Sequence, residues 1–337
     1  MPASSSNALV FLTLSTAFLL VPLSLQASPW TLPANQLTLI VSQDFQYADH
    51  EFLPDGRYQA FPLNGAFRSA NTRLLARYGF TDRFEGGLNL NLSIVSYQDD
   101  PLILEDFPDG ATSAEVTDAI LNFNSVAFGA GDVHLYGNYN LYRGPVLITS
   151  STSVKLPTGY APPSGTFRTT ESGETVIGGQ TTLGDGQTDI TQLILLGTYI
   201  PITKSFARLD AGLRFRAGSP GHQALANLRV GQFFGDRFIL TAGFGWLQTI
   251  TEGDLIGESF IATDPSLSAL EFTPDNVEVL DLRLDRDALT FEAGLIFNAG
   301  DMEFIVNYSQ IFSGTNIAQV HSFSIATIFS LPAITAD

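Results

Sequence analysis

The chain contains no cysteine among its 337 residues, which excludes disulfides, thiolate metal sites and cysteine nucleophiles. Positive charge is scarce: 16 Lys and Arg against 34 Asp and Glu give a net charge of −18. A chain this acidic offers no basic face to nucleic acid. Beyond residue 27 there is no run of 18 apolar residues, so the remainder cannot cross a membrane as a helix. Basic residues are also missing from positions 1–7, ahead of an apolar run at 8–25. That run, with Pro22 and the small residue Ala27, predicts a signal peptide over 1–27 rather than a retained N-terminal anchor, although the usual basic start is absent.

The acidic surplus is concentrated. Segments 47–66, 98–130, 157–187 and 251–286 hold 22 of the acidic residues and only Arg57, Arg168, Arg283 and Arg286 as bases, which leaves the rest of the chain neutral. This is a balanced scaffold carrying four acidic loops. Asp99, Asp100, Glu105, Asp106 and Asp109 are candidates for diffuse binding of divalent cations, or for a solvated surface that resists aggregation.

What is abundant is alternation. In Gly131–Gly159, residues Val133, Leu135, Gly137, Tyr139 and Leu141 alternate with His134, Tyr136, Asn138, Asn140 and Tyr142. After Arg143-Gly144, the residues Val146, Ile148, Ser150, Thr152 and Val154 alternate with Leu147, Thr149, Ser151, Ser153 and Lys155. A period of two means strands. The arms are long enough to cross a bilayer at a tilt. A two-residue turn at Arg143-Gly144 would oppose residues whose numbers sum to about 287 and set Asp132 across from Lys155 at the outer rim, an ion pair in lumen water worth ~0.2–1 kcal/mol.

The same signal predicts strands near 36–46, 67–80, 84–97, 131–142, 145–156, 188–200, 205–217, 223–235, 237–250, 287–298, 302–312 and 319–330. Their number is even and their connections alternate between short and long, with every acidic segment among the longer ones. These are the marks of an all-β, transmembrane, antiparallel up-and-down barrel of about twelve strands, with short periplasmic turns and long acidic extracellular loops. Aromatics near the short turns (Tyr78, Phe80, Phe84, Tyr199, Phe206, Phe238, Phe297, Phe304 and Phe329) suit an interfacial girdle. Strand 188–200 is ambiguous, because Leu193–Leu196 is apolar on both faces.

Polar rows facing a lumen supply the candidate pore-lining residues. Arg73, Arg77, Lys155, Arg208, Arg214, Arg216 and Arg229 are the cations. Asp132, Asp210, Glu292 and Glu303 are acids able to pair with them, as is Glu85. Asn89, Asn91, His134, Tyr136 and Asn138 complete the set. Such rows either pair to hold the barrel or select anions. His134 stands alone, with no second histidine at metal spacing. Gly184–Asp189 opens a strand as a turn; as a calcium loop it has too few oxygens. A barrel lipase would need a Ser–His pair on the lipid face, and by parity His321 faces outward but Ser309 inward. No catalytic residue, cofactor or metal ligand is expected.

Gly131-Asp132, the Lys155-Leu156-Pro157-Thr158-Gly159 stretch and Gly184–Asp189 together resemble the outer-membrane barrels associated with the meta-pathway of phenol degradation, from about Arg73 to Phe244. The resemblance implies a non-enzymatic channel in the outer membrane of a Gram-negative bacterium that passes small organic, even aromatic, solutes. It also implies contact with outer-membrane lipid and with the barrel-insertion machinery, which reads a final strand such as that of Phe323, Ile325 and Phe329; the tail Leu331–Asp337 departs from the usual ending. The alternatives are a structural or adhesive surface barrel, a barrel enzyme, and a secreted β-sandwich, for which strands this long are less natural.

Overall fold

The alternating runs form twelve long strands in the computed structural model, which describes residues 28–100, 102–104, 119–121, 124–163, 167–169, 175–177, 181–262 and 277–331. They are β1 (Leu37–Ala48), β2 (Ala66–Thr81), β3 (Phe84–Gln98), β4 (Val133–Tyr142), β5 (Val146–Leu156) and β6 (Asp189–Ile200). The second half supplies β7 (Ser205–Arg216), β8 (Gln223–Phe234), β9 (Phe238–Thr249), β10 (Asp287–Asn298), β11 (Met302–Thr315) and β12 (His321–Leu331). Each strand pairs antiparallel with the next, and β1 pairs with both β2 and β12, so the sheet closes into a barrel. Closure removes the exposed edges that an open sheet of this size would leave. The signal peptide expected over 1–27 and the tail 332–337 lie outside the described residues.

A barrel has one wall, so alternation sorts side chains into outward and lumen sets. On β3, Leu88, Leu90, Leu92 and Ile94 are exposed while Asn89 and Ser93 are buried. On β7, Leu209, Leu213 and Phe215 are exposed while Arg208, Asp210 and Arg216 are buried. Strand β6 resolves its own ambiguity: Ile194 points out, and Leu193 and Leu195 point in. The outer aromatics pack ring against ring near the short turns, as Tyr78–Phe80–Phe84 and Phe238–Phe297–Phe304.

The short connections share one end of the barrel with the start of β1 and the end of β12, where Leu37 faces Leu331. The other end carries structure that the strand pattern did not show. Residues 50–52, 58–60 and 317–318 form a small sheet, and 167–169, 175–177, 255–262 and 277–283 form another. Ser125–Ala130 pairs with β3 beyond its contact with β4, so the connection expected over 98–130 is shorter than the sequence suggested.

The central hairpin corrects a second expectation. Lys155 faces His134 and Ser153 faces Tyr136, a sum of 289, so the register lies two residues from the one predicted. A two-residue hairpin turn needs positive φ at its centre, and neither Arg143 nor Gly144 has it. Pro145, lacking an N–H, cannot begin the ladder. Pairing therefore starts at Tyr142 and Ile148, with a bulge beside it. The shift is even, so every side chain keeps its predicted face.

Candidate functional site

The lumen can be followed from the short-turn end upward. There Ser28–Asn35 crosses the mouth. The Pro29 carbonyl accepts hydrogen bonds from Thr149 Oγ1 (2.8 Å) and Asn140 Nδ2 (3.3 Å), and Trp30 packs edge-on against Phe206. Glu85, fully buried, accepts from the Leu32 N–H (2.8 Å), Arg77 Nη2 (2.9 Å) and Asn138 Nδ2 (2.8 Å). Gly197 permits the approach: a Cβ there would lie 2.5 Å from Pro29 Cγ. The chain's own segment thus lies across this mouth.

Above it, cations and carboxylates pair. Arg73 Nε meets Asp44 of the adjacent strand at 2.8 Å, Arg208 Nε meets Asp210 within β7 at 2.8 Å, and Arg229 Nη2 on β8 reaches Glu292 on β10 at 2.6 Å. Asp44 was not anticipated as a partner, although its parity on β1 placed it inward. Glu303, expected to pair, has no ion-pair partner among the described residues.

An apolar belt follows. Leu193, Gly212, Leu225, Leu247 and Ala288 are successive Cα partners on five neighbouring strands, β6 to β10. Leu193, Leu225, Leu247 and Ala288, with Leu183, Ile311 and Val320, line a cavity of about 170 Å³, whose polar wall includes Asn91, Asp132, His134, Lys155, Arg214 and Arg286. Purely polar inward rows were expected, although parity with Arg229 turns Leu225 inward.

The three sequence motifs converge at the far rim. Lys155 Nζ lies 2.8 Å from Asp189 Oδ2 and 3.7 Å from Asp132 Oδ2, and also bonds Asp185. Arg216 Nη2 bonds Asp185 Oδ2 at 2.6 Å, and its Nη1 bonds the Leu284 carbonyl at 3.2 Å. Tyr160 donates to Asp132. The predicted Asp132–Lys155 pair thus exists, but as a diagonal contact in a largely buried cluster, and the surface-pair magnitude assigned to it does not apply. Gly184–Asp189 is more than a turn: Gly186, at φ +69°, lets the segment dip into the lumen and deliver Asp185. Burial would raise the Asp185 pKa, but Lys155 and Arg216 overcome it and hold the carboxyl below the usual range. Asp132, just outside β4, is pushed up to about 6, by burial first, with Lys155 opposing.

Of the candidate residues, Arg73, Asn89, Tyr136, Asn138, Arg208, Asp210, Arg216 and Glu292 are buried, and Arg77, Asn91, Asp132, His134, Lys155, Arg214, Arg229 and Glu303 are half-buried. His321, outward as parity required, bonds Tyr308 Oη at 2.9 Å. Asp100 accepts from Asn64 Nδ2 at 2.7 Å, whereas Glu105, Asp106 and Asp109 lie outside the described residues.

No protein-family model and no curated relative matches the sequence, so the family resemblance rests on the three motifs alone. Among solved structures, an outer-membrane channel from Pseudomonas putida F1 superposes with a TM-score of 0.57 at 11% identity, covering 90% of this chain and 98% of that one. The CymD monoaromatic hydrocarbon channel gives 0.47 at 11% identity, with 94% of each chain covered. The KdgM porin in complex with disordered oligogalacturonate gives 0.44 at 7% identity, covering 88% of this chain and 99% of that one. The fold, a closed twelve-stranded antiparallel barrel, is the one the Pseudomonas putida F1 channel also has.

Proposed function

We propose that this protein sits in the outer membrane of a Gram-negative bacterium, after removal of residues 1–27, and lets small organic solutes pass without chemistry. The observation that carries this reading is the internal cavity, apolar on the Leu193–Ala288 side and ionic on the Asp132–Lys155 side. Such a lining suits a solute with an apolar body and a polar group better than an ion or a sugar. An outer surface of exposed Leu, Ile and Phe supports residence in lipid. The motifs shared with the phenol-degradation barrels support an aromatic solute.

Passage requires movement, because Ser28–Asn35 spans one mouth and the Asp185 segment narrows the other. The test is the purified protein in planar bilayers and in solute-loaded liposomes. Brief, low-conductance openings together with faster efflux of phenol than of glucose are expected. A sealed barrel that passes neither would overturn the reading. It would favour the structural or adhesive alternative, for which the chain segments that cross one mouth and narrow the other are the supporting observation.

A further inference from the structure

Arg214 stands apart from the other inward arginines of the strands. Arg73, Arg77, Arg208, Arg216 and Arg229 each meet a carboxylate at hydrogen-bond distance. Arg214 makes one hydrogen bond, Nη1 to Gln223 Oε1 at 3.0 Å, and no ion pair among the described residues. The acids whose charge it feels, Asp189 and Asp185, are already engaged by Lys155 and Arg216. A guanidinium has five N–H donors in a fixed fork, so most of its capacity faces the cavity unused.

Its position on β7 gives this surplus a direction. Arg214 is two residues above Gly212, whose neighbours in the belt are Leu193 and Leu225, and it lines the cavity together with both leucines. The charged lining of the cavity is Lys155, Arg214 and Arg286 with Asp132, Asp185, Asp189, Asp210 and Glu292, and Asp210 and Glu292 are held by Arg208 and Arg229.

We infer that the cavity is a binding site for an organic carboxylate, with the acid group held by the Arg214 fork and the apolar body laid on Leu193, Leu225 and Leu247. This names the solute class and rests on the channel reading above. A carboxylate fits the Arg214 fork better than a neutral hydroxyl, because it accepts two parallel N–H bonds. It does so where apolar walls exclude water and strengthen the contact.

The test compares benzoate with benzamide, its uncharged counterpart of the same shape, by calorimetric titration of the purified full-length barrel. Benzoate should bind at least tenfold more tightly, the scale of a charged hydrogen-bonded pair. Arg214→Gln should erase that ratio, and Arg214→Lys should retain part of it. Leu225→Asn should weaken both ligands and leave the ratio intact. Equal binding of the two ligands by the wild type, or an unchanged ratio in Arg214→Gln, overturns the proposal. If Arg214→Gln fails to fold, judged by heat-modifiable gel mobility, the wild-type ratio and the Arg214→Lys variant decide. Bilayer conductance of the same preparations separates the two readings. Conductance without benzoate preference removes the site alone, and benzoate preference without conductance or solute flux removes the channel alone.

Discussion

Lys155 and Asp189 are Cα partners on adjacent strands, and their side chains meet at 2.8 Å inside the barrel rim. The contact joins two motifs more than thirty residues apart in sequence. Asp132, from ahead of β4, and Asp185, from the same segment as Asp189, reach the same ammonium, and Arg216 also bonds Asp185.

Removing that lysine should therefore be costly. Lys155→Met leaves buried carboxylates uncompensated, and a loss of about 3–5 kcal/mol is expected. Urea unfolding followed by gel mobility measures it. A loss below about 1 kcal/mol would mean that the cluster is hydrated and weak.

Acid should act on the rim in two steps. Asp132, raised to about 6, binds its proton more tightly in the folded state, so stability is greater below this window and falls as pH rises from about 4 through 6. Asp185, depressed, contributes stability that is present above the ordinary carboxylate range and is lost only as pH falls through its lowered folded pKa. Asp132→Asn should flatten the upper step, worth on the order of 1–3 kcal/mol. Melting midpoints between pH 3 and 7 that show no upper step in the wild type would contradict this.

The short-turn mouth depends on one glycine. Gly197→Leu would drive a side chain into Pro29 and free Asn140 and Thr149 from its carbonyl. Single-channel conductance should rise severalfold while the barrel stays folded. Unchanged conductance would place the constriction elsewhere.

The lipid face predicts a depth-dependent penalty. Ile194, exposed midway along β6, should tolerate Phe, whereas Ile194→Arg should cost about 2–4 kcal/mol in refolding into lipid vesicles. Equal stability of the two variants would place Ile194 away from the hydrocarbon.

Alternation by itself determined the strands, their faces and the up-and-down order, because these depend only on local parity and on the lengths of connections. That is why Arg208, Asp210 and Asn138 could be set inward, and Leu90 and Phe215 outward, from the sequence. An even shift of register could not disturb this assignment, so the error in the central hairpin left every face correct. Three things were decided only by the tertiary structure. On β6, where both faces are apolar, nothing local says which leucines turn inward; closure of the barrel chose Leu193 and Leu195. The partners of Lys155 depend on how the Gly184–Asp189 segment bends into the lumen, and local pattern carries no trace of a carboxylate some thirty residues away. The crossing of Ser28–Asn35 under the barrel is the third. It lacks any periodicity of its own and is held by Glu85, Asn140 and Thr149, which reach it only once β3, β4 and β5 stand side by side.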